Sequence, residues 1–198
     1  TGIGSGSTLV IADLSDGGSS SSIGVASTLA TALVIDNGTL KFAGSGAQST
    51  NRLFSIGDGG ATLNASGTTA TDTMSFTGTG ALGFNGISGI GTSAAETGPR
   101  TLTLAGTNTG ANTLTSIIGD QAAVTGITSV TKSGTGTWVV NGNNTYTGLT
   151  SVSNGVLNVQ HANALGSAAT GATTVASGAT LQIQVSGIGA EGTTINGS

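Results

Sequence analysis

The sequence has no cysteine, one proline, one histidine, and only four cations against eight acids in 198 residues. Without cysteine there is no disulfide framework and no thiolate metal site, so the fold cannot rest on either. Four cations, Lys41, Arg52, Arg100 and Lys132, cannot form the dense basic patch that binds a nucleic-acid backbone, and the net charge is −4. Nucleic acid is therefore not an expected partner. No apolar run approaches the roughly 18 to 20 residues that span a bilayer, and no basic amphipathic helix is in evidence, so no membrane insertion by this segment is expected. The first residue is Thr1, which reads as a processed or excised end.

Low charge with 36 glycines is a composition that flexible linkers share. The apolar residues exclude that reading. They recur as evenly spaced pairs in TLVIAD, TLKFAG, TLTLAG, WVVNG, VLNVQ and TLQIQV, and such a pattern predicts a chain with a core to bury. Frequent Gly, Thr, Ser and Val disfavour helix. Alternation, as in Leu102 and Leu104 beside Thr101 and Thr103, has the period of two that sends one face of a strand inward and the other outward.

The local unit is an apolar residue, a short turn with Gly, and an apolar pair: Ile35, Gly38, Leu40 and Phe42; Phe76, Gly80, Leu82 and Phe84; Val152, Gly155, Leu157 and Val159; Val175, Gly178, Leu181 and Ile183. Each reads as strand, corner, strand. With the second strand as marker, Leu40, Leu63, Leu82 and Leu102 lie about 20 residues apart, and Trp138, Leu157 and Leu181 continue the series. This spacing predicts an all-β solenoid of roughly nine coils, about 40 Å long, running through residues 1–198 as a single segment. A β-sandwich also has many short strands, but its longer strands would be joined by hairpin turns at much closer and more regular spacing than these corners show. SDGGSSSSIGVAS and GISGIGTSAAETGPR are long enough to leave the rod as loops.

From Lys132 the chain reads KSGTGTWVVNGNNTYTGLTSVSNGVLNVQHANALGS. This run resembles the autotransporter-associated β-strand repeat, also called the passenger-associated transport repeat. NRLFSIGDGGATLNASGT, GTGALGFNG and RTLTLAGTNTGANTLTSIIGD are similar to segments of the long surface proteins that carry many copies of it. The resemblance implies a right-handed parallel β-helix in a secreted passenger or a giant bacterial surface protein, in several cases without enzymatic activity. The membrane-embedded barrel that completes an autotransporter has no counterpart in this sequence. Writing the end before the beginning gives TTINGSTGIGSGSTLV, which is similar to the family's passage from coil to coil. The segment is accordingly expected to be one unit of a longer head-to-tail array, uncapped at both ends, with its own next copy as partner.

Candidate sites are few. His161 has no Cys and no neighbouring carboxylate in sequence with which to build a metal site or a triad, and it reads as a turn or surface residue. The acids are Asp13, Asp16, Asp36, Asp58, Asp72, Asp120, Glu96 and Glu191. Solenoid polysaccharide hydrolases and lyases gather acids on adjacent coils, which makes Asp36 and Asp58 the pair to test, although IDNG and IGDGG are both natural turn contexts. A single IGDGGATL is too little for calcium sites between successive coils. Asn at the corners is expected to form ladders between coils. A Thr-rich face could order water as ice-binding solenoids do, provided the array persists through coils of unequal length. Trp138 stands where other coils have Leu and is expected in the core, and Tyr146 is expected to pack in its corner. No catalytic, cofactor or metal residue is assigned. The expected role is structural, a stiff extracellular rod, filament or sheath at the bacterial surface. A glycan-binding or surface-binding adhesin passenger is the alternative, and an enzyme is a distant third.

Overall fold

A computed structural model describes residues 1–87, 93–121, 125–167, 172–189 and 192–195. Eight strands form one all-parallel sheet: Thr8–Ile11, Gly38–Phe42, Ala61–Ala65, Arg100–Gly106, Thr128–Lys132, Thr150–Val152, Ala172–Val175 and Gly192–Ile195. They stack in strict chain order, each hydrogen-bonded to the member of the sheet before it and the member after it. Six more stack likewise in a second parallel sheet: Gln48–Thr50, Met74–Phe76, Asn112–Leu114, Thr137–Val140, Val156–Val159 and Thr180–Ile183. A third face carries the parallel strands Gly2–Gly4, Val34–Asp36 and Ser55–Ile56. Parallel sheets whose strands stack in chain order, with the chain alternating between them, require it to wind, so the fold is a β-solenoid.

Among the described residues the long sheet has eight rungs, where the sequence spacing predicts roughly nine coils. Its register is unbroken even though the coils differ in length. One outward column runs Thr8, Thr39, Thr62, Thr103, Thr131, Ser151, Thr174, and the register continues to Thr194. The inner column stacks Leu40, Leu63, Leu104, Lys132, Val152 and Val175, all buried. Each fully buried Leu here removes enough apolar surface from water to contribute about 2 kcal/mol. Extra sequence is accommodated off this sheet. The coil from Thr62 to Thr103 is far longer than the one from Thr39 to Thr62, and it throws out an antiparallel hairpin, Asn85–Ile87 against Ser93–Ala95. Residues 88–92 of GISGIGTSAAETGPR lie outside the described residues.

The sequence marker needs correction at two points. Leu82 does not continue the series from Leu63: the register partner of Leu63 is Leu104, and Leu82 follows an isolated bridge between Ala81 and Ile117. Moreover, Leu40 and Leu63 belong to the eight-stranded sheet, whereas Trp138, Leu157 and Leu181 form a column of the six-stranded one. The strand-corner-strand unit occurs at two different corners of the coil.

Glycine is obligatory at the corner between these sheets. Gly134 has φ +69° and a Cβ there would lie 2.4 Å from the Gly106 carbonyl oxygen of the preceding coil; Gly155, at φ +66°, would meet the Gly136 oxygen at 2.4 Å. Only a residue without a side chain lets successive backbones approach so closely. Beyond the corner, Trp138 is buried and donates from Nε1 to the Ala105 oxygen at 2.9 Å. Phe54 and Phe76 meet edge to face at 5.2 Å between ring centroids.

The expectation of an uncapped start also changes for the second sheet. Its first strand is covered by the stretch that includes SDGGSSSSIGVAS, which lies on the rod and plugs it with the buried Leu14 and Ile23. The contacts are made through side chains and not through a strand ladder: Asn51 Oδ1 accepts from Gly17 N at 2.9 Å, Thr50 Oγ1 donates to the Ser15 oxygen at 2.8 Å, and Asp16 Oδ1 accepts from Asn51 N at 2.7 Å. No helix among the described residues is long and apolar enough to cross a membrane.

Candidate functional site: an acidic corner of the solenoid

Asp36, Asp58, Glu96 and Asp120 all precede strands of the long sheet, and the turns that lead into those strands gather them along one corner. Asp36 and Asp58, the pair singled out as a possible catalytic dyad, are brought to adjacent coils. Each carboxylate accepts from backbone N–H groups of later coils. Asp36 Oδ1 accepts from Gly59 N at 3.0 Å and Oδ2 from Ile87 N at 3.3 Å. Both oxygens of Asp58 accept from Gly98 N at 2.9 Å. Glu96 Oε2 accepts from Asp58 N, while Asp120 accepts from Thr128 N at 2.7 Å and Thr147 N at 3.0 Å. These acids act as staples that tie one turn to the next, which is turn chemistry extended across coils.

Arg100 lies behind this corner with no exposed side-chain surface. Its Nη1 donates to the Ile56 oxygen at 2.9 Å and its Nη2 to Asp58 Oδ1 at 3.0 Å, the Glu96 oxygen at 3.0 Å and the Gly98 oxygen at 2.7 Å. The guanidinium also sits 4.8 Å from the centroid of the Phe84 ring. Burial pulls its pKa below the ordinary value, and the surrounding acids, Asp58 first, act in the opposite direction.

Arg52 and Lys132 are buried as well. Arg52 donates from Nη1 to the oxygens of Ile23 at 3.3 Å and Gly24 at 3.0 Å, beneath the first-coil plug. Lys132 donates from Nζ to Ser133 and Gly134 at 2.8 Å each and to Asn154 at 3.0 Å, which ties its own corner to that of the next coil. Burial lowers its pKa to about 8. The count of cations in the sequence did not reveal this burial. Their parity held the signal: Arg100 shares it with Leu102 and Leu104, Lys132 with Val130, and Arg52 with Phe54.

The other candidates fall into place. Asp72 accepts from Gly46 N and Thr69 N, both at 2.7 Å, and these bonds hold its pKa down to about 2. His161 accepts at Nδ1 from Asn163 N at 3.1 Å, in a turn. Tyr146 is buried, and its hydroxyl lies 2.6 Å from Thr150 Oγ1, four residues on. Amide ladders do join coils, at Asn158 to Gln182 (2.9 Å), Gln160 to Gln184 (3.0 Å) and Asn163 to Asn143 (2.8 Å). Of the corner asparagines, Asn143 takes part. Asn37 instead adopts φ 53° as a turn residue, and Asn154 bonds its own turn at Gly155 N. Glu191 lies outside the described residues.

Comparison with known proteins agrees with this architecture. Residues 130–159 match the family model of the passenger-associated-transport-repeat, a stretch that begins in the long sheet, turns the Gly134 corner and ends in the second sheet one coil later. The chain is 38% identical over 160 residues, 80% of its length, to the adhesin BmaC autotransporter of Brucella suis biovar 1 (strain 1330). It spans about 4% of that protein's length. No solved structure matches. Over residues 130–159 the chain thus carries the passenger-associated transport repeat that its sequence resembles.

Proposed function

We propose that this segment is a stiff spacer in the extracellular passenger of a bacterial surface protein, holding shape and distance and performing no chemistry. One observation carries the reading: eight rungs keep a single register through coils of very unequal length. Continuous parallel hydrogen bonding around an apolar interior resists bending without disulfides or metals. The non-enzymatic part of the reading is supported by the acids, whose carboxylate oxygens are engaged with backbone N–H groups and an arginine. A glycosidase needs a matched pair facing a cleft, with one member holding a proton. The segment's partner is the next copy or repeat, end to end along the rod axis, where open strand edges favour β-addition. Nucleic acid and membrane have no place in this reading.

The adhesin reading is the second one, and the name of the Brucella relative favours it. In that reading the rod's outer face contacts a glycan or a host surface.

Electron microscopy of the native material tests the first reading. A filament or stalk with an axial spacing of about 4.8 Å, within a unit repeat of about 35 to 40 Å, is expected. Discrete particles on a stalk of another construction would overturn it, and binding of the isolated segment to a glycan array would favour the second reading.

A further inference from the structure

We propose that the outer face of the eight-stranded sheet is a lateral docking surface for a second copy of this chain, with the two rods parallel and face to face. This goes beyond end-to-end growth, because it concerns the rod's flank. The face is built mainly of small side chains, and its hydroxyl column runs without interruption along the rod. Thr39, Thr62, Thr103, Thr131 and Ser151 engage their hydroxyls in no hydrogen bond among the described residues. Val10 and Leu149, 58% and 55% exposed, add apolar area to the same face.

Charge selects the partner and its orientation. Among the described outward positions of these strands, Lys41 is the one charged residue, and it is also the one cation that is not buried. The acids line the corner where the strands begin. Two copies of a chain with net charge −4 approach with least repulsion through a face that carries no acid. A two-fold axis parallel to the rods sets the central column against itself at equal height. It also places Lys41 of each copy opposite the corner that carries Asp36 and Asp58 in the other. An antiparallel pair would set acid against acid, so the parallel pair is the complementary one.

Eight rungs, mostly two outward residues wide, cover about 450 Å² per partner, or about 900 Å² in total, which is below the ~1,200 Å² of a standard stable interface. Pairing of single segments is therefore weak. Rods made of many such segments would multiply it through their effective concentration.

The absence of cysteine gives a clean test. Ser151→Cys places one thiol on the central column, and Gln160→Cys places one on an exposed position away from it. Each variant, shown to be folded by circular dichroism, is oxidised by air with a copper catalyst, and covalent dimer is measured over time. The expected result is dimerisation of Ser151→Cys at least about tenfold faster than that of Gln160→Cys, with Lys41→Glu or added salt slowing it. Equal rates for the two thiols, or a Ser151→Cys rate indifferent to both Lys41→Glu and salt, would overturn the lateral interface and leave the rod reading untouched.

Discussion

Lys132 is the register partner of Leu104, one rung along the inner column of the long sheet, and it is as fully buried as the leucine it stacks on. The stem continues the apolar column while the ammonium turns into the corner and meets three carbonyls. A depressed lysine pKa means that the unfolded chain binds more protons than the folded one between pH 8 and 10.5. Stability is therefore expected to rise as pH increases through that window, by about 3 kcal/mol in all. Urea unfolding at a series of pH values measures it, and Lys132→Met should flatten the slope.

Acid acts from the other side. Asp72 is held well below the usual carboxylate range by the N–H groups of Gly46 and Thr69. Its contribution is present above about pH 4 and is lost as pH falls through about 2. The midpoint of thermal unfolding should drop across this range, and Asp72→Asn should start lower at neutral pH and drop less.

Burial of the cations protects the chain from trypsin-like proteases. Of the four sites at which such an enzyme could cut, Arg52, Arg100 and Lys132 are buried, and Lys41 lies in the middle of a strand paired on both sides. The folded protein should survive trypsin concentrations that digest the urea-unfolded chain at all four sites. Mass spectrometry of early fragments distinguishes this from cutting at Arg52 or Lys132 in the native state, which would contradict the burial.

The corner glycines should be intolerant of any side chain. Gly134→Ala combines a positive φ with a Cβ 2.4 Å from a carbonyl oxygen, and a loss of about 2 to 4 kcal/mol is expected. Gly178→Ala is the control. It shares the positive φ but has nothing within 4 Å, and it should cost about 1 kcal/mol.

Trp138 is the single tryptophan and is 1% exposed. Its emission should be blue-shifted in the folded state and should follow unfolding directly. Trp138→Ala is expected to cost about 3 to 5 kcal/mol.

The winding was legible in the sequence because parallel stacking repeats one simple pattern: an apolar alternation, a glycine corner, another alternation. TSVTKSGTGTWVV and TSVSNGVLNV show it on adjacent coils. The assignment failed where the pattern was locally right and globally displaced. Leu82 sits in a well-formed unit beside Phe84, yet it stands on the third face, where its neighbours bridge to Ser55 on one side and Ile117 on the other, and it never joins the long sheet. Periodicity reports which side of a strand faces inward, and it does not report which sheet the strand enters. The Asp staples were half legible. IDNG and IGDGG announced turns, but the N–H groups they hold, at Gly59 and Gly98, belong to the following coil, at a separation set by coil length.

The unequal coils have a consequence for how such a chain can change. Because the stretch between Thr62 and Thr103 is lengthened while the register of the long sheet is kept, the passage from Phe76 to Arg100, which carries the hairpin, behaves as an insertion port. New sequence can enter there, acquire its own hairpin and evolve separately, while the eight-rung spine keeps its pitch. A family built this way can vary what it presents to its surroundings and inherit its mechanics unchanged.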